Sequence, residues 1–134
     1  MEAVIDTNCL IFDMVKDSEF HVSARKLLDR TDRWIVPSVV VEEFVFALKQ
    51  LGVGDDLIAR EVEEFLASGK AVFEPVRLQD VKAALDLIKA EGISSKRFND
   101  KLILSIAKRD GAAVMTFDKG LQTECRSQGV EVVT

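Results

Sequence analysis

A helix that runs straight into an unbroken apolar stretch constrains this chain more than any other feature. From Asn99 to Lys119 it reads N-D-K-L-I-L-S-I-A-K-R-D-G-A-A-V-M-T-F-D-K. Leu102, Ile103, Ile106 and Ala107 recur at three-to-four spacing, and Leu104 makes the helix apolar almost all round. Gly111 stands where a helix ends most easily in a left-handed residue. Ala112 to Met115 lacks the polar alternation of a half-exposed strand, so it reads as a parallel strand covered on both faces. Each end of the unit carries an acid: Asp100 where the helix begins, and Asp118 just past the strand.

The same alternation runs through the whole chain. Ala3-Val4-Ile5 is a short strand ending at Asp6-Thr7-Asn8, followed by helical stretches from about Cys9 to Val15 and from about Ser18 to Leu28, with Ser18 as cap. Trp34-Ile35-Val36 is a second strand, and Pro37-Ser38 opens a helix reaching Leu51. Asp55 caps the next helix, with a face of Leu57, Ile58, Val62, Phe65 and Leu66, before Ala71-Val72-Phe73 forms a third strand. Val81, Ala84, Leu85 and Ile88 mark an amphipathic helix ending near Gly92. After the Asn99–Lys119 unit come a helix from about Lys119 to Ser127 and a last strand, Val130 to Val133. Five short apolar strands without a hairpin turn predict an α/β fold, a parallel sheet with helices on both sides. Ligands of such sheets bind beyond the carboxyl ends of the strands, where Asp6 and Asp118 both fall.

At 134 residues the sequence fits a single domain over 1–134. No stretch approaches the length of a membrane span, and the first residues show no export signal, which points to the cytoplasm. Cys9 and Cys125 lack metal-type spacing and read as free thiols. The net charge of −5 argues against a protein that holds nucleic acid by bulk electrostatics and leaves local binding open. Two divalent cations held by four acids would cancel most of that charge locally.

Each acid also has an ordinary explanation. Asp6, Asp100 and Asp118 all stand where a helix cap belongs. A fourth candidate lies in the helix Pro37-Ser38-Val39-Val40-Val41-Glu42-Glu43-Phe44-Val45-Phe46-Ala47-Leu48, apolar enough for burial on two faces or for an interface. There Glu42 stacks over Lys49, as a solvent-side ion pair would, while Glu43 lies among Val39, Val40 and Ala47; periodicity alone leaves the two open. Two carboxylates about 5 Å apart repel by roughly 3 kcal/mol at an effective dielectric near 20, so a cluster of four calls for a cation. An all-oxygen set selects Mg²⁺ or Mn²⁺ over zinc or copper. The one histidine, His21, reads as solvent-side, so a mechanism of paired histidines is excluded.

Val4-Ile5-Asp6-Thr7-Asn8, Val36-Pro37-Ser38 with Glu43 six residues after the proline, Asn99-Asp100 opening a helix, and Val114-Met115-Thr116-Phe117-Asp118 together resemble the PIN-domain ribonucleases, in particular the small VapC-type toxins of toxin–antitoxin pairs. The resemblance implies a three-layer α/β/α sandwich around a five-stranded parallel sheet. It implies Asp6, Glu43, Asp100 and Asp118 as metal-binding catalytic acids, with Thr7, Asn8 and Thr116 orienting them. It further implies Mg²⁺- or Mn²⁺-dependent endoribonuclease activity, a homodimer and a small VapB-like antitoxin. Arg97, Lys101 and Lys119, beside the acids in sequence, are candidates to steer RNA. Two alternatives fit less well. An aspartyl phosphatase needs a second aspartate where Asn8 stands, and a receiver domain wants one at the end of the third strand, where the chain has Phe73-Glu74-Pro75. A PIN-fold processing nuclease without a toxin role, or a degenerate RNA-binding module, would share the fold.

Overall fold

The structure, a computed structural model, describes residues 1–134. In chain order the elements are β1 (Glu2–Ile5), α1 (Thr7–Met14), α2 (His21–Arg30), β2 (Arg33–Pro37), α3 (Ser38–Gln50), α4 (Asp55–Leu66), β3 (Ala71–Glu74), α5 (Leu78–Glu91), a 3-10 turn at Ser95–Arg97, α6 (Phe98–Asp110), β4 (Ala113–Met115) and α7 (Lys119–Ser127). The strands form one parallel sheet in the order β3-β2-β1-β4. Val4 stands opposite Ile35 on one side and Val114 on the other. Two crossovers step outward from β1 to β3, and the third returns across the sheet to β4. Right-handed crossovers therefore put α1–α4 on one face and α5–α6 on the other. In agreement, α3 packs on α1 and α4, whereas α6 packs on α5, β1 and β4.

The sheet has four strands rather than five. Val130–Val133 contributes only a bridge from Val132 to Val114, held by Val114 N–H to Glu131 O (2.9 Å) and Val133 N–H to Val114 O (2.9 Å). The Val130 N–H is spent on Cys125 O (2.8 Å), closing the end of α7, so residues before Glu131 are not free to pair. Val130 and Val133 are nevertheless buried, as an apolar run should be.

The core follows the sequence pattern. Val4, Ile5, Val36, Val40, Leu48, Ile103, Leu104, Ile106, Val114 and Met115 are fully buried. Gly111 takes a left-handed φ of 62° after α6, as expected. Helix starts differ more. Ser18 shapes the turn ahead of α2, its hydroxyl accepting from Phe20 N–H, and does not cap the helix. Gly54 caps α4, and Asp55 in the first turn binds Lys49 at 2.6 Å, taking the lysine assigned to Glu42. His21 is half-buried against the Phe12 carbonyl (2.9 Å) rather than facing solvent. Both cysteines are free and buried, and no helix is long and apolar enough to cross a membrane.

Candidate active site

β1 is central, and the chain leaves it for β2 on one side and returns to β4 on the other, so the switch point of the sheet lies between β1 and β4. Asp6 follows β1 and Asp118 follows β4 at this edge. Asp6 is buried, with Oδ1 accepting from Thr7 N–H (2.7 Å) and Oδ2 from the Thr116 hydroxyl (2.6 Å) and the Asn8 amide (3.2 Å). The Thr116 hydroxyl accepts in turn from Asp118 N–H (3.0 Å), tying the two strand ends together. Asn8 spans the same gap, its carbonyl oxygen accepting from Phe117 N–H (3.1 Å). Asp118 caps α7 by accepting from Leu121 N–H (3.0 Å), so the cap and cluster readings of this acid coexist.

Glu43 lies on α3, half-buried, and accepts from the Thr7 hydroxyl at 3.2 Å. Glu42, one step round the helix, is exposed, which separates the two acids that periodicity left open. Asp100 sits inside the first turn of α6, which starts at Phe98, and caps nothing; its carboxylate is free of that duty.

The electrostatics show that the four acids share one region. Burial raises the Asp6 carboxyl, hydrogen bonds from Thr116 and Thr7 oppose the rise, and Glu43 and Asp118 add to it. Burial likewise raises Glu43, against hydrogen bonds from Thr7 and Asn99, with Asp100 pushing further. Asp100 is pushed up to about 6 by burial and then by Asp6, with Asp118 and Glu124 adding and Arg97 opposing. No three of these groups stand ready-made around one point as ligands. The donor set still suits a hard divalent cation: it is all oxygen, and neighbouring acids help to raise the carboxyls of Asp6, Glu43 and Asp100.

The three candidate cations separate. Lys119 is exposed beside Asp118. Arg97 pairs with Asp100 (3.2 Å) and Glu124 (2.9 Å), and its guanidinium crosses α7 where Gly120 leaves room, since a Cβ there would meet Arg97 Nη2 at 3.2 Å. Lys101 does not fit the RNA-contact expectation. Its side chain is 0% exposed, and its ammonium lies 2.5 Å from both Glu91 and Glu124. Burial works against its charge, and the bonds to Glu124 and Glu91 more than restore it. The physical reason lies in α6: Lys101–Ala107 is buried without a break, so a lysine at its start is buried and must find acids, whereas Lys108 beyond it is exposed. Glu124, absent from the sequence-derived set, is the acid it finds. The signal was there in the form of a lysine with no solvent face, although nothing in the sequence named its partner.

A family model, PIN domain, matches residues 3–123. Comparison with curated protein sequences gave no match. Among solved structures the chain is similar to VapC20 of Mycobacterium tuberculosis, a Sarcin-Ricin loop cleaving toxin, with TM-score 0.78 and 15% identity over 91% of this chain and 94% of that one. It is similar to FitAcB from Neisseria gonorrhoeae, with TM-score 0.72 and 18% identity over 100% and 97% of the two chains. It also matches a toxin-antitoxin complex from Klebsiella pneumoniae, with TM-score 0.68 and 16% identity over 98% and 96%. A family model spanning nearly the whole chain, on a sheet whose switch point gathers four acids, leaves one assignment: the chain belongs to the PIN-domain family.

Proposed function

We propose that this chain is a divalent-metal-dependent endoribonuclease, one domain over residues 1–134, acting in the cytoplasm as the toxin of a VapBC-type pair. The observation that carries the reading is the electrostatic pressure that Asp6, Glu43 and Asp100 receive from one another, and Asp6 and Asp100 also from Asp118, at the carboxyl edge of the sheet. These four would hold Mg²⁺ or Mn²⁺. Such a cation, when bound, activates water and neutralises charge on a leaving oxygen. Thr116 and Asn8 hold Asp6 in register with the turn that carries Asp118, and Thr7 and Asn99 orient Glu43. Water attacking the scissile phosphorus with loss of the 3′ oxygen leaves a 5′-phosphate and a 3′-hydroxyl. Arg97, paired with Asp100, and the exposed Lys119, next to Asp118, would meet the RNA backbone.

The toxin role and an antitoxin partner draw support from the Klebsiella complex among the neighbours. Homodimerisation draws support from α3, where Phe46 is 67% exposed. The deciding experiment is cleavage of a labelled, structured RNA with Mn²⁺, with and without chelator, by wild type and Asp6→Asn. Cleavage should need both the metal and the acid. Activity that survives the chelator and the substitution would sink the proposal.

A further inference from the structure

Beside the acid cluster stands a feature that the metal chemistry does not use. Phe12, Phe20 and Phe117 form a closed aromatic triad, with ring centroids 5.0 Å apart for Phe12–Phe20 and 5.3 Å for each of the other two pairs. The triad is attached to the site at both ends. Phe117 lies between Thr116 and Asp118 and donates its N–H to Asn8, and Phe12 follows Asn8 by one turn of α1. Phe20, just ahead of α2, is the outermost ring and stays 39% exposed, an unusual position for an aromatic side chain with two apolar neighbours.

Phe117 also lines an open cavity of about 340 Å³, together with Ser23, Lys26 and Arg30 of α2, Thr116 and Gln122. Ser23, Lys26 and Arg30 recur at helical spacing on one face of α2. Lys26 and Arg30 are exposed, and neither has an acid partner, whereas Arg25 on the same helix is held by Asp13 at 2.8 Å. Two free cations on a chain of net charge −5 give this cavity, which reaches Thr116 at the acid end and runs down α2 toward the start of β2, a side that suits an anion.

Taken with the proposed ribonuclease reading, on which it rests, we infer that the triad and the α2 cations form a substrate subsite for single-stranded RNA. An unpaired base stacks on Phe20, and the adjoining phosphates run to Lys26 and Arg30. Stacking on an aromatic ring is worth about 1–3 kcal/mol per base and needs no particular base, because every base has a π-face. A-form duplex RNA keeps its bases inside the helix and has nothing to offer the ring. The subsite therefore selects unpaired segments next to the scissile phosphate, and it supplies the attraction for RNA that the acidic cluster lacks.

The test is fluorescence anisotropy of a labelled single-stranded RNA oligonucleotide with chelator present, so that binding is read without cleavage. Phe20→Leu keeps apolar contact with Phe12 and Phe117 but removes the ring, and it should weaken binding by about 5- to 100-fold. Phe20→Trp should restore it. Wild type should bind an abasic oligonucleotide of the same length about as weakly as Phe20→Leu binds the normal one, an effect that a merely structural role for the ring would not produce. Lys26→Gln with Arg30→Gln should lower the slope of log affinity against log salt by about 1.4, for two lost phosphate contacts. Equal binding by wild type and Phe20→Leu overturns the subsite, and metal-dependent cleavage by the same preparation would leave the nuclease reading standing. A wild type that neither binds nor cleaves RNA overturns both.

Discussion

Replacing Asp100 by asparagine tests whether the fold holds the acid cluster together against its own charge. In the metal-free protein the Asp100 carboxyl titrates at about 6, against an ordinary 3.8, through burial first and then through Asp6. Between these values the unfolded chain has released its proton while the folded chain keeps it. The folded state then binds more protons, so stability falls as pH rises from about 4 to about 6 and stays lower above that. At about 1.4 kcal/mol for each tenfold, the deficit is at most about 3 kcal/mol. The side chain is 26% exposed, and solvent screening brings the figure to about 1.5 kcal/mol. The favourable ion pair with Arg97 is already contained in that figure. Asp100→Asn should therefore stabilise the metal-free protein by about 1.5 kcal/mol near pH 8, roughly 5–8 °C in melting midpoint, and should give no gain near pH 4. Millimolar Mn²⁺ should raise the wild-type midpoint more than that of the variant, which lacks a ligand. Thermal melts at the two pH values, with chelator and with Mn²⁺, read all of this. A variant displaced from wild type by the same amount at both pH values would refute the electrostatic account.

Two other substitutions probe the supports of the cluster. Thr116→Val removes the hydroxyl that donates to Asp6 and accepts from Asp118 N–H, and it should lower Mn²⁺ affinity by about 10- to 100-fold in a calorimetric titration; an unchanged affinity would remove Thr116 from the site. Lys101→Met leaves Glu91 and Glu124 without their buried partner. Breaking a fully buried pair costs about 3–5 kcal/mol, and because these acids are 34% and 20% exposed a loss of about 2 kcal/mol is expected in urea denaturation. A loss below about 0.5 kcal/mol would mean that the pair holds nothing in place.

The parts legible in the sequence were those that depend on a single element. Val4-Ile5 before Asp6, and Val114-Met115 before Thr116-Phe117-Asp118, each announce a buried strand with an acid at its carboxyl end. Position along a strand is local, so the sheet edge could be inferred. The gathering of all four acids needed the resemblance, because α3 and α6 reach that edge only through the crossovers. Glu43 against Glu42 stayed open because a helix with apolar residues all round gives no clean face to measure from. Lys101 misled for a related reason: next to Asp100 it reads as surface charge, whereas its depth is set by what packs on α6 from α5 and α7. The last strand failed at one hydrogen bond, since a backbone donor committed to the end of α7 leaves no trace in residue type.

The sheet order has a consequence for how such a protein comes into being. Asp6 is among the first residues made, yet its partner Thr116, the paired strand β4 and Asp118 are among the last. Because β1 pairs with β4 directly, the sheet is completed at one edge by the strand pairing most distant in sequence, the kind that forms late and slowly. Translation therefore delivers Asp6 and Glu43 long before it delivers the residues that hold Asp6 in register. A chain still on the ribosome has no assembled acid cluster until α7 has emerged. The topology itself acts as a timer, withholding the cluster from the emerging polypeptide until its synthesis is nearly complete.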